Sequence, residues 1–174
     1  FDPVTNGHLD VIRRAAGIFD KVIVGVGRNV GKAPLFTTEE RVSLIQVAVS
    51  ELQNVEVESF DGMLVAFAKQ HGASVLVKGL RAISDFEYEF QMALANRHLD
   101  PTVETMFLMT SAEYQFLSSS IVKEMVRVGG DCSPLVPSVV MDALRRSFDV
   151  NTSPHHHRTH CILLHVRRRK TMCC

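Results

Sequence analysis

The sequence predicts an α/β fold around a parallel sheet, in one domain. Short Val- and Ile-rich runs alternate with segments of helical spacing, which is the pattern of βα units. The 174 residues, 46% of them hydrophobic, suffice for one sizeable core and are too few to assume two.

The first element is a helix. Asn6, Gly7 and His8 precede Leu9, Ile12, Ala15, Ala16 and Phe19 at helical spacing, so they fall at its N-terminus. Free N–H groups and the positive end of the helix dipole make that end a site for anions. KVIVGVG (21–27) follows as a strand, and Thr37 with Glu40 has the capping-box spacing that opens a helix running to about Leu52. VEVES (55–59) reads as a strand, 63–71 as a helix, SVLVK (74–78) as a strand, 83–99 as a long helix and TVETMFLMT (102–110) as a strand. SSSIVKEMVRV and VVMDALRRSF form two final helices, divided by a loop holding Gly129, Gly130, Pro134 and Pro137.

Charge divides the chain after residue 150. Residues 151–174 carry five Lys or Arg and no acidic residue, which leaves residues 1–150 with a net charge of −5 and no sign of a nucleic-acid binder. The tail also holds His155, His156, His157 and His160, but its composition changes abruptly after an apparently finished helix and resembles a fusion scar or frame-shifted read-through. It is expected to be disordered and to lie outside a functional domain at 1–150. Cys132 stands alone in that domain, so no disulfide framework is visible. No apolar stretch approaches the ~20 residues that span a bilayer, and no signal-like block opens the chain, so a cytoplasmic protein without membrane contact is expected.

Ligands of parallel α/β sheets bind at the carboxyl ends of strands. There the chain places Arg28 to Lys32, Lys78 to Arg81 and Ser118 to Ser120, all able to face His8. A histidine at a helix N-terminus can donate a ring N–H to a phosphate oxygen, and Gly7 allows close backbone approach. Lys78 and Arg81 flank Gly79 as a point charge and a bidentate fork suited to phosphates; salt bridges to Asp85, Glu87 or Glu89 are the plainer alternative. Lys32 beside Gly31 could be brought over a bound anion or could simply be solvated. Ser118 to Ser120 open a helix as a second anion cradle, with Lys123 one turn in, and one of the serines suffices as the cap.

Absent are the GxxxxGK[ST] phosphate loop, GxGxxG, CxxC and GxSxG. Several anion-directed groups without a covalent nucleophile suit phosphoryl or nucleotidyl transfer by positioning and charge stabilisation. Mg²⁺ held mainly by phosphates and water is expected, with no dedicated protein cage.

In order and spacing, FDPVTNGH, KAPLFTTEER, VKGLRAISDFEYEFQMALANRHL and FLSSSIVKE resemble the bacterial phosphopantetheine adenylyltransferase family over about residues 1–148. The resemblance implies a Rossmann-like parallel sheet with helices on both faces, a homohexamer, and a reaction in which 4′-phosphopantetheine attacks the α-phosphorus of ATP, giving dephospho-coenzyme A and pyrophosphate. It assigns catalysis to His8, Lys32 and Arg81, and acceptor binding to Lys32, Leu64 and Lys78. Lys78 stands where the family often has arginine. ATP binding falls to Phe1, His8, Gly79, Leu80, Arg81, Glu89, Tyr114, Gln115, Phe116, Leu117, Ser118, Ser119 and Ser120. No residue is assigned to a metal.

The family's first strand, and the threonine or serine before Phe1, have no counterpart here, so the chain is expected to be part of a longer protein. Without that strand the neighbouring strands would expose backbone groups at ~1–3 kcal/mol for each one left buried, and poor folding and slow turnover are expected. Two alternatives remain: a related nucleotidyltransferase with another acceptor, such as nicotinamide mononucleotide or glycerol phosphate, and a silent adenine-nucleotide binding module.

Overall fold

The computed structural model describes residues 1–28, 33–81, 83–150 and 163–168. Helix α1 spans Asn6–Ile18 and passes without a loop into strand β1, Phe19–Gly27. Phe19, which periodicity places on the helix, is instead its C-cap and the first strand residue; its amide still closes on Ala15 O and its ring stays buried. Helix α2, Thr38–Ala48, starts at the expected capping box: Thr37 Oγ1 accepts from the Glu40 amide at 3.2 Å, and Glu40 Oε2 accepts from the Thr37 amide at 2.8 Å. Then come β2 (Val55–Phe60), α3 (Leu64–Gln70), β3 (Val75–Leu80), α4 (Ile83–Leu99) and β4 (Glu104–Met109). A short 3₁₀ turn at Ala112–Tyr114 precedes α5 (Ser119–Arg127) and α6 (Ser138–Val150).

Strand β5, Leu163–Arg168, comes from the tail and lies in the middle of the sheet. The order is β2-β1-β5-β3-β4, with β1 parallel to β2, β3 parallel to β4, and β5 antiparallel to both of its neighbours. The α/β fold with parallel βα units is as expected, and the sheet is completed by one antiparallel strand, residues 163–168, between its two parallel halves. The physical reason is the one that made a gap costly: strands β1 and β3 would otherwise present unpaired backbone to each other, and β5 satisfies both. Its pairing covers Phe19 to Ile23 on β1 and Val75 to Val77 on β3, the amino-terminal parts of both strands.

Alternation across the sheet divides the core. Val22, Val24, Val26, Val75 and Val77 pack into one cluster with α1, α2, α5 and α6. Ile23 and Leu76 point the other way, toward Val65, Phe67 and Ala68 of α3 and Val103. From β1 the chain steps outward to β2, and from β3 outward to β4 in the opposite direction. The strand order therefore reverses between β1 and β3, and a crevice opens over their carboxyl ends at Gly27 and Leu80.

Candidate active site

The start of α1 explains why a histidine sits there. Thr5 is the N-cap, in extended conformation, and its hydroxyl accepts from the His8 amide at 3.4 Å. His8 Nδ1 in turn accepts the Thr5 backbone N–H at 2.9 Å and lies 3.0 Å from Thr5 Oγ1. This is a capping box in which an imidazole replaces the usual Glu or Gln at the third helical position. A ring nitrogen that accepts an amide hydrogen carries no proton, so the neutral ring bears its hydrogen on Nε2. Burial, with the positive charge of Arg81, holds the imidazole well below the ordinary histidine range. His8 is therefore a neutral, oriented N–H donor. Phe1, itself buried, packs edge-on against it with ring centroids 5.0 Å apart.

Gly7 serves a closer purpose than approach to a ligand. A Cβ there would lie 3.2 Å from the Tyr114 Cβ, so the glycine lets α1 press against the 114–117 segment. Gly79 does the same on β3, where a Cβ would meet Val11 Cγ2 at 3.0 Å. Arg81 donates from Nη1 to Leu117 O at 2.9 Å, joining the end of β3 to the segment before α5. Along that segment the Leu117 side chain belongs to the core, Gln115 and Phe116 are exposed, and Tyr114 is half-buried. Any contact from Leu117 to a nucleotide must therefore come from its backbone.

The three serines divide their work. Ser118 caps α5 by accepting from the Ile121 amide at 3.1 Å, and Ser119 Oγ donates to Pro3 O at 2.8 Å. Ser120 occupies the first turn of α5. Lys123 does not serve the anion cradle: its Nζ lies 2.7 Å from Asp2 Oδ2, in a partly buried pair. Asp2 also accepts the Leu35 and Phe36 amides at 3.1 and 3.0 Å. Burial pushes the Asp2 carboxyl up, but Lys123 and these two amides outweigh it and hold the group below the usual carboxylate value.

Lys78, at the end of β3, lies 3.0 Å from Glu89 Oε2 on α4 as a charge contact that does not align as a hydrogen bond; the two side chains are 6% and 7% exposed. Of the three carboxylates weighed from sequence, Glu89 pairs with Lys78; the Asp85 side chain lies outside the described residues. Both line a cavity of about 470 Å³ with Phe1, Arg41, Leu64, Tyr88 and Asn96. The leucine expected to touch the acceptor is on its wall, and His8 adjoins it through the ring of Phe1, which also lines it. Gly79 and Leu80 complete the β3 end, with Leu80 buried. Lys32 lies outside the described residues.

Sequence reasoning missed Thr5, Asp2 and Arg41. Thr5 and His8 have capping-box spacing, a usable signal disguised by the histidine. Asp2 and Lys123 are 121 residues apart and share no local signal. Arg41 carries no signal beyond its place on a helix; it is 5% exposed, with Nη1 3.3 Å from Gly27 O and Nη2 3.0 Å from Thr38 Oγ1.

The cytidylyltransferase-like family model matches residues 1–125, which include the α1 start and the β3 end. The chain belongs to the cytidylyltransferase-like family. Curated members similar to it carry the name phosphopantetheine adenylyltransferase. The protein of Alkaliphilus metalliredigens (strain QYMF) is 53% identical over 146 residues, 84% of this chain and 93% of its own. That of Caldanaerobacter subterraneus subsp. tengcongensis is 54% identical over 148 residues, 85% of this chain and 92% of its own. That of Clostridium botulinum (strain Alaska E43 / Type E3) is 55% identical over 148 residues, 84% of this chain and 93% of its own. Within this cytidylyltransferase-like chain, the matched region carries every site residue named above.

Proposed function

We infer that the chain is an adenylyltransferase that moves AMP from ATP to 4′-phosphopantetheine, releasing pyrophosphate and forming dephospho-coenzyme A. The observation that carries the reading is the neutral His8, held with its hydrogen on Nε2 beside Arg81 and adjoining a cavity with Lys78 on its wall. Relatives at 53–55% identity that bear the phosphopantetheine adenylyltransferase name support this acceptor over another phosphate.

An acceptor phosphate oxygen attacks the α-phosphorus in line, the bond to the bridging oxygen of pyrophosphate breaks, and pyrophosphate leaves with the electron pair. Negative charge builds on the α-phosphate oxygens. The Nε2–H of His8 and the guanidinium of Arg81 are the donors placed to meet it, and Lys78 holds the acceptor phosphate. Leu64 and the apolar wall take the pantetheine arm. The 114–120 segment, joined to Arg81 through Leu117 O, takes the nucleotide. Lys32 is proposed to contact both phosphates.

Among the described residues no group of three His, Cys, Asp or Glu could hold a metal ion. The donors around the site are cations and hydroxyls, which suits Mg²⁺ bound to the ATP phosphates and water rather than to the protein. The ion would supply charge neutralisation of the leaving pyrophosphate.

No described helix is long and apolar enough to cross a membrane, which is compatible with a cytoplasmic enzyme. A homohexamer is proposed as well. Phe86, Phe90 and Leu94 form a stripe on α4, each 44% exposed or more, that a second copy could cover.

The test is pyrophosphate release from MgATP and 4′-phosphopantetheine. H8A is expected to lower kcat by ~10²–10³-fold while ATP affinity changes little. An unchanged kcat removes His8 from the mechanism, and ATP binding without pyrophosphate release makes the chain a nucleotide-binding module.

A further inference from the structure

We propose that Glu89 is a built-in competitor for the acceptor's phosphate: its carboxylate contacts Lys78 and sets how tightly a phosphomonoester is held there. The proposal rests on the reading of Lys78 as the acceptor's phosphate anchor.

The geometry places one anion where another must arrive. Nζ of Lys78 lies 3.0 Å from Glu89 Oε2, with both side chains more than nine-tenths buried. Solvent and salt screen such a contact weakly. Both residues stand on regular elements, β3 and α4, and both face the cavity that Leu64 lines. An incoming phosphate dianion that reaches Nζ therefore comes within a few ångströms of a carboxylate on the same ammonium. It must either displace Glu89 from Lys78 or share the cation with a like charge, and each route weakens binding. A buried pair of this kind contributes little net folding stability, because desolvation offsets its attraction. Its effect falls on the ligand.

The chemistry gives such a competitor a use. Affinity shared equally by substrate and transition state lowers KM without raising kcat, and a phosphate anchored too strongly is released slowly as product. With Glu89 ready to retake Lys78, the product's phosphate, now joined to AMP as a phosphoanhydride and carrying one fewer negative charge, is replaced on the ammonium by an internal anion. No proton or further reactant is required.

The roles open to Glu89 differ in sign. A competitor weakens phosphate binding, a support that holds Lys78 in place strengthens it, and a nucleotide contact acts on ATP alone. The experiment is calorimetric titration of the wild-type chain and E89Q with 4′-phosphopantetheine, pantetheine, inorganic phosphate and ATP. E89Q is expected to bind 4′-phosphopantetheine and inorganic phosphate about tenfold more tightly, with pantetheine unchanged. In turnover, its KM for the acceptor falls while kcat does not rise. E89D, which keeps the charge but withdraws it by one methylene, tightens phosphate by about threefold and covers the case in which the glutamine variant does not fold. In a K78M background the glutamine substitution leaves phosphate binding unchanged. Weaker or unchanged phosphate binding in both Glu89 variants overturns the proposal, as does equal tightening of phosphopantetheine and pantetheine or an effect confined to ATP. Inorganic phosphate separates the two layers: an E89Q gain for phosphate without turnover of phosphopantetheine sustains the competitor while refuting the acceptor.

Discussion

The start of α1 and the passage from β3 to α4 each present a polar group to the same region, by opposite means. At α1 everything happens within four residues: Thr5 and His8 lock each other through the Thr5 backbone N–H and the His8 amide. Lys78 and Glu89 are 11 positions apart and meet only because a strand and the following helix are packed in register. The first arrangement fixes a chemical state, a tautomer. The second fixes a competition between charges. Local geometry survives wherever the helix forms, whereas the charge contact depends on the integrity of the sheet.

That contrast can be broken from the sheet side first. Truncation after Val150 removes β5 and uncovers the facing edges of β1 and β3, at an expected cost of ~4 kcal/mol, a large share of a typical domain's stability. Thermal melts and hydrogen exchange should show loss of protection at Ile23 and Val77, which face β5, before the amides of α1; an unchanged melting temperature would mean that β5 contributes nothing. Next in size is D2A, which strips Lys123 of its partner and the Leu35 and Phe36 amides of their acceptor. We expect a loss of ~3 kcal/mol at pH 7. Because the Asp2 carboxyl is held below its unfolded value, its stabilisation is fully present above about pH 4 and fades as pH falls through the folded value. The gap between wild type and D2N should therefore narrow in acid, and denaturant titrations at pH 3 and pH 7 would reveal a gap that does not. The smallest effect probes the local side. T5V removes the hydroxyl that caps α1 but keeps the backbone N–H to His8 Nδ1, so stability should fall by ~1 kcal/mol with kcat reduced only a few-fold. A drop in kcat as large as that of H8A would show that the hydroxyl, and not the amide, orients the ring.

Most of the helices and strands were legible because their signals are local and periodic, as with Thr37 and Glu40 at the head of α2 or the alternating valines of β1. The crevice followed from topology, and with it the placement of Lys78, Gly79 and Arg81 at a strand end. What escaped was long-range. Nothing near Leu163–Arg168 announces a partner in β1 or β3, because a strand's pairing is decided by the edges it meets and a basic, histidine-rich surrounding disguises its apolar centre. The pairing of Lys123 with Asp2 was equally hidden, so an apparently spare cation in a serine-rich helix start proved to be occupied. Leu117 stands at a position the family resemblance assigns to ATP, yet its side chain is packed inside; a match of position does not say which atoms are offered.

The imidazole of His8 has one further consequence. A ring held well below the ordinary histidine range stays uncharged in mild acid, so acidification through that range leaves its donor function intact. Any response of the reaction to mild acid then falls to other groups, first among them the attacking phosphate monoester, whose second ionisation lies at about pH 6.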